Sequence, residues 1–302
     1  KVPDHQYLVS TVVGVLGAYA VKDGVGTAAI TKLPTGLVKA PDGSIWFTDR
    51  GFNLIRRISP DLTVTTLADV TESSGSALWQ GSDGIYYFID KAKGMLRKYN
   101  PADNTVATIA SGMKSPMNCC FGKDGCLYVS ARDDKAIYKF DKDMKQTTFA
   151  TLQFGPNYCK FAPDGNLIVT LNSGYKFISI APDGTISDFL ANGVKTPEMS
   201  DGEPGKPLTA TIKNCFGFDF DSKGVMYISD NTFSCIRRLT PGPNGDYSKG
   251  TLETIIGSTA GYADGTGLKV KMKQPYEILV YDDNTLYFTD TVNYLIRKVT
   301  IK

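Results

Sequence analysis

Three basic residues, Arg50, Lys91 and Arg132, recur at one position of a repeated pattern. Brought together, they would attract an anion, because guanidinium and ammonium groups carry fixed positive charge and only donate hydrogen bonds. Phe52, Tyr175, Phe233 and Tyr294 lie in the segments that follow in their own units and would add aromatic platforms. A second set is rich in oxygen: Glu277 with Asn118, Asn157 and Asn214, beside Tyr158 and Tyr276. Carboxylate and amide oxygens of this kind suit calcium or magnesium. Nucleophile–base chemistry has little to draw on. The one histidine, His5, precedes the first strand-like segment, so neither a Cys–His pair nor a histidine-rich zinc site is expected. The competing reading is that all these groups are ordinary rim and channel residues, solvated or paired locally.

Composition sets wide limits. Hydrophobic residues make up 42% of the 302 residues and charged residues 21%, as in ordinary globular proteins. The 33 basic and 31 acidic residues nearly cancel, so charge gives no support to a nucleic-acid or membrane partner. No apolar run approaches the length of a spanning helix. The chain opens on Lys1 rather than Met, as expected of a trimmed or mature chain.

The elements that position the candidate residues come from a repeat. Ser44-Ile45-Trp46-Phe47-Thr48-Asp49 followed by Asn53-Leu54-Ile55-Arg56-Arg57-Ile58 returns as Thr285–Asp290 with Asn293–Val299. Two further copies are Val225–Asp230 with Ser234–Leu239, and Tyr86–Asp90 with Met95–Tyr99. Weaker copies are Leu127–Ala131 with Ala136–Phe140, and Leu167–Leu171 with Phe177–Ile180. The positions aligned with Asp49 are 49, 90, 131, 171, 230 and 290. Each unit reads as four short alternating strands divided by turns such as Pro41-Asp42-Gly43. A small sheet that is apolar on both faces must be covered on both sides, and radial stacking does this. The expected fold is therefore all-β, a six-bladed propeller with four-stranded blades at about 35–68, 76–110, 116–152, 157–190, 213–256 and 274–302. A β-solenoid or stacked sandwiches are the rivals.

The ends separate these alternatives. The sixth unit stops after three strands, while Tyr7–Val13 resembles a spare fourth strand. Pairing Tyr7–Val13 with Leu295–Ile301 would close the ring, complete blade six with residues 7–13 and remove an exposed edge. The whole chain then forms one propeller domain. Strand direction places the short turns on one face. The loops after Asp49 and its equivalents lie on the other, with the long connections 15–33, 191–212 and 257–274, which are expected to surround the channel mouth.

Asp49, Asp90, Asp230 and Asp290 each end a strand, and Arg56, Arg97, Arg237 and Arg297 lie within reach on the next. Structural pairing accounts for them without a ligand. Cys119 and Cys159 share the position of Leu37 and read as small buried apolar residues, with Cys120 on the opposite face. Six cysteines without a C-x-x-C pair do not choose disulfide partners.

The run Pro34-Thr35-Gly36-Leu37, Asp42-Gly43, Phe47-Thr48-Asp49 and Asn53–Ile58 resembles an NHL repeat, as do Asp230 with Ile236-Arg237-Arg238 and Asp290 with Asn293 and Ile296-Arg297-Lys298. The resemblance covers nearly the whole chain, though the third and fourth units lack the Asp. Gly17–Ala29 and Gly261–Gly267 resemble the loops that lead into such repeats. This version is similar to NHL proteins exported by Bacteroidetes, often with an N-terminal TIG domain. The resemblance implies a periplasmic or cell-surface binding module, a monomeric domain within a longer chain, recognising a glycan or protein segment. It also allows lactonase-like propellers, which hold a divalent cation in the channel with Glu, Asn and Asp. RNA-binding NHL domains are a further alternative. The lyases of related propellers depend on histidines in the propeller body, which this chain lacks.

Overall fold

The computed structural model describes residues 6–70, 75–196 and 198–302; His5 falls outside them. Six antiparallel sheets stand around an axis. Blade one comprises Pro34–Lys39, Ile45–Asp49, Leu54–Ile58 and Thr63–Asp69, from the axis outward. The inner strands of blades two to six are Gly75–Gln80, Pro116–Phe121, Pro156–Phe161, Cys215–Phe220 and Pro275–Asp282. The strand Tyr7–Val13 pairs antiparallel with Leu295–Ile301, with Tyr7 opposite Ile301 and Val9 opposite Val299. The ring is thus closed by the first strand completing the last blade, as the terminal pattern predicts.

The core is divided in the same way. Six apolar clusters occupy the six gaps between neighbouring blades. One holds Trp46, Phe88 and Tyr99 between blades one and two. Another holds Phe177, Phe218 and Met226 between blades four and five. Trp46 stacks on Tyr86 at 3.8 Å, joining blades one and two through their faces. Alternation along each strand sends side chains to both gaps, which is why each blade depends on two neighbours. Cys119 and Cys159 are fully buried, and all six cysteines are free and buried.

Each inner strand slips register near its start, between Thr35 and Val38 in blade one and between Pro116 and Asn118 in blade three, for example. Such bulges re-aim side chains. Here they fall on the axial positions Gly36, Ala77, Asn118, Tyr158, Gly217 and Glu277.

The long connections depart from expectation. Their middle portions leave the mouth and run down the outer edges of blades one, five and six. Gly24–Val25 pairs with Thr63 and Val64, and Gly265–Thr266 with Leu8 and Val9, each adding a short fifth strand. In blade five Asp201 takes the amide of Thr254 at 2.9 Å. The reason lies in Asp23, Asp201 and Asp264. Each caps a threonine amide of the outer strand (Thr66, Thr254, Thr11) and accepts from the buried Arg56, Arg237 or Arg297.

Candidate binding site at the axial mouth

Each of the six blades contributes one residue to the mouth on the face of the long connections. Arg50, Lys91 and Arg132 come from the ends of the second strands of blades one, two and three. Asn157, Phe216 and Tyr276 come from the starts of the inner strands of blades four, five and six. Phe216 and Tyr276 stack in parallel, centroids 4.6 Å apart and planes inclined by 3°. Arg50 lies over Tyr276 at 5.7 Å, and Arg132 over Phe216 at 5.9 Å. Cations are drawn to the negative faces of aromatic rings, so the stack holds both guanidiniums beside the axis.

Arg132 is also held by Asn157, whose Oδ1 accepts from Nε at 2.9 Å. A guanidinium can only donate, which fixes the amide with its oxygen towards Arg132 and its nitrogen elsewhere. That nitrogen, Nδ2, is buried and has no hydrogen-bond partner. The Lys91 ammonium is held below its usual range by burial first, then by the charges of Arg132 and Arg50, with Asp133 opposing. The three cations therefore act on one another. Among the described residues none of them forms an ion pair, and Asp133 accepts instead from Ser115.

Beneath the mouth the axis is closed. All six axial positions are buried, from Gly36 and Ala77 round to Glu277. Tyr158 Oη donates to Glu277 Oε1 at 2.7 Å, joining blades four and six past Gly217. A Cβ on Gly217 would lie 2.6 Å from the Tyr276 carbonyl oxygen and 3.0 Å from Glu277 Oε1, so this approach needs glycine. Burial pushes the Glu277 carboxyl up to about 8, against the lowering hydrogen bond from Tyr158. It is mainly protonated at neutral pH. Two residues further along the inner strands, Lys160 and Asp219 form an ion pair at 2.5 Å, and Asp219 also accepts from the Val280 amide at 2.9 Å.

This arrangement does not fit a divalent cation. Glu277 takes Tyr158, Asn118 Oδ1 takes the Cys159 amide at 3.1 Å, and Asn157 Oδ1 takes Arg132. Glu277 Oε1, Asn118 Oδ1 and Asn157 Oδ1 are thus each engaged by a different donor. Asn214 contributes its carbonyl to Asn231 N at 3.0 Å. Among the described residues no three His, Cys, Asp or Glu side chains gather to hold a metal.

Of the candidate residues, Arg50, Lys91, Arg132, Asn157 and Tyr276 meet at the mouth, with Tyr158, Glu277 and Asn118 below it. Phe52 instead packs on Tyr19 at 5.9 Å, with Lys32 5.5 Å from its ring. Phe233 lies under Lys213, and Tyr294 gives its carbonyl to Thr31 Oγ1. Tyr175 is a half-buried rim residue. Phe216 escapes a reading by residue type, yet it holds the same repeat position as Asn157 and Tyr276.

A cavity of about 400 Å3 opens on the short-turn face between blades three and four, lined by Tyr128, Phe149, Phe161 and Ile180. Its one carboxylate, Asp124, is taken by Lys139 at 2.8 Å and by the Tyr128 hydroxyl at 2.9 Å, and its other cation, Lys123, donates to the Pro163 carbonyl. The mouth, with unpaired cations, is the better candidate.

No family model matches the sequence, and no curated protein matches it. Solved structures of similar fold are numerous. An auxiliary nutrient binding protein from Bacteroides thetaiotaomicron aligns at TM-score 0.81 and 17% identity, over 99% of this chain and 77% of its own. A putative gluconolactonase aligns at 0.66 and 15%, over 98% and 92%. A virginiamycin B lyase from Staphylococcus aureus, made inactive by replacing one histidine with alanine, aligns at 0.64 and 16%, over 97% and 99%. Identities this low establish the shared fold: the chain is a six-bladed β-propeller whose structural neighbours include binding proteins and enzymes.

Proposed function

We propose that the protein is a non-enzymatic binding module of the NHL-repeat type, exported from the cell, that takes a glycan at the axial mouth. The observation that carries this reading is the convergence of one side chain from each blade on a mouth with a closed floor. A floor on which Tyr158 meets Glu277, with all six axial positions buried, favours a receptor rather than a conduit. The nutrient-binding neighbour supports a receptor role by analogy of fold alone. A lyase reading loses support because the one histidine, His5, lies ahead of the first strand. The lactonase reading loses support because the channel oxygens already serve other donors. An RNA reading needs free ring faces for bases, whereas Phe216 and Tyr276 cover each other and lie under guanidiniums.

The test is calorimetric titration with a panel of neutral and acidic oligosaccharides, with NMR mapping of any binder. Saturable binding that shifts signals of residues at the mouth supports the reading. Turnover of lactones, or no binding by any saccharide, overturns it.

A further inference from the structure

We infer that the mouth is an oxyanion subsite, and that its glycan is acidic, carrying a uronate carboxylate or a sulfate ester. This rests on the reading of the mouth as a glycan site. Arg50, Lys91 and Arg132 can only donate, Asn157 spends its acceptor oxygen on Arg132, and Asp133, the one carboxylate whose charge reaches Lys91 and Arg132, accepts from Ser115. Arg50 and Arg132 are fixed by the Tyr276–Phe216 stack, and Lys91 lies between them in blade order. The fourth donor is Asn157 Nδ2, 2% exposed as a residue and without an acceptor.

Two features show that the protein has not neutralised this charge itself. Among the described residues no carboxylate pairs with Arg50, Lys91 or Arg132. Elsewhere the chain does the opposite: Arg56 and Arg297 each receive two carboxylates. Holding three like charges within mutual reach is unfavourable, and an unpaired buried amide adds to the cost. An anion with several acceptor oxygens relieves the first of these conditions. Carboxylate and sulfate match the forked geometry of two guanidiniums, which a neutral hydroxyl does not. Asn157 orients Arg132 through its oxygen, and its nitrogen is buried beside that contact without an acceptor.

The probes are oligogalacturonide, its methyl ester, a heparin oligosaccharide, a neutral oligosaccharide, an oligoglutamate peptide and inorganic sulfate. Each is titrated into the wild type, Arg50→Gln/Lys91→Gln/Arg132→Gln and Asn157→Asp. Circular dichroism and melting curves confirm that the variants fold. The expected result is that oligogalacturonide or heparin binds on the order of thirtyfold more tightly than the uncharged saccharides. That advantage disappears in the triple variant, shrinks in Asn157→Asp, whose carboxylate occupies Arg132, and falls with added salt. Preference between the uronate and the sulfate ester identifies the anion. Equal binding of galacturonide and its methyl ester, or an advantage that survives the triple variant, overturns the oxyanion subsite while leaving a glycan receptor. Binding of oligoglutamate or sulfate without any saccharide overturns the glycan, and no binding by any probe overturns both.

Discussion

Blades one, five and six are strapped along their outer edges, and blades two, three and four are not. In the strapped blades an arginine lies fully buried, with Arg56, Arg237 and Arg297 among the bulkiest buried side chains. Arg56 donates to Asp49 and Asp23, both at 2.9 Å, and to the carbonyls of Ile30 and Lys22. Arg297 repeats this with Asp290, Asp264, Lys271 and Ala263. Arg237 keeps Asp201 at 2.7 Å, while Asp230 stands back at 3.7 Å. In blades three and four Tyr138 and Ile178 take the arginine position, and Ala131 and Leu171 the aspartate position. Blade two keeps both ionisable residues without the strap. There, among the described residues, Asp90 and Arg97 form no ion pair, and Asp90 Oδ2 has no hydrogen-bond partner, as is also true of Asp230 Oδ2 in blade five. The contrast teaches that a buried guanidinium needs carbonyls and a second carboxylate brought by a long connection. Where they are lacking, blades three and four turn apolar at these positions and blade two keeps its arginine only half-buried.

The largest effect should come from removing the strand that closes the ring. Deleting residues 1–14 exposes the partners of buried Tyr7, Val9 and Val13 and should lower stability by about 5 kcal/mol or more. A melting temperature close to that of the full chain would refute the closure.

Next comes the strapped-against-unstrapped comparison itself. Arg56→Ala leaves Asp49 and Asp23 without their cation and should cost about 3–5 kcal/mol, against about 1 kcal/mol for Arg97→Ala. Urea denaturation measures both, and equal losses would break the comparison.

A smaller effect depends on pH. The folded Glu277 carboxyl titrates at about 8, above its ordinary 4.5, so folding favours the protonated form. Its contribution is complete below about pH 4.5 and is lost as pH rises through 8. Glu277→Gln keeps an acceptor for Tyr158 and has no such loss. The variant should match the wild type at pH 5 and exceed it at pH 9 by on the order of 1–3 kcal/mol. Burial also raises Asp49, to about 6, but that slope is common to both proteins and cancels in the difference. Parallel stability curves would mean that Glu277 is not buried against Tyr158.

The smallest effect sharpens the distinction between clamp and mouth. Replacing Arg50, Lys91 and Arg132 together by Gln should change stability by less than about 1 kcal/mol, because none of them neutralises a carboxylate. A large loss would make them part of the scaffold.

Much of this was legible before any coordinates. Blade number follows from the recurrence of Asp49 and its equivalents, and closure from a missing strand at one end and a spare at the other. The arginine partners were only half legible. Asp49 and Arg56 face each other across adjacent strands, a local relation that strand pairing encodes. Asp23 and Arg56 do not, although the Asp-Gly pairs at 23, 201 and 264 repeat in all three long connections and offered a signal. Phe216 was likewise marked by its register with Tyr276 but not by its chemical type.

The amino-acid sequence by itself determined the blades, their order and the ring they form, because alternating apolar residues and tight turns act over a few neighbouring positions. Tertiary structure decided that the long connections grip the outer edges, that Tyr158 meets Glu277 across 119 residues of chain, and that three cations gather at the mouth with no ion pair among the described residues. Those contacts join blades distant along the chain. Their geometry depends on bulges, twist and packing at every gap between them, which no local pattern of residues specifies.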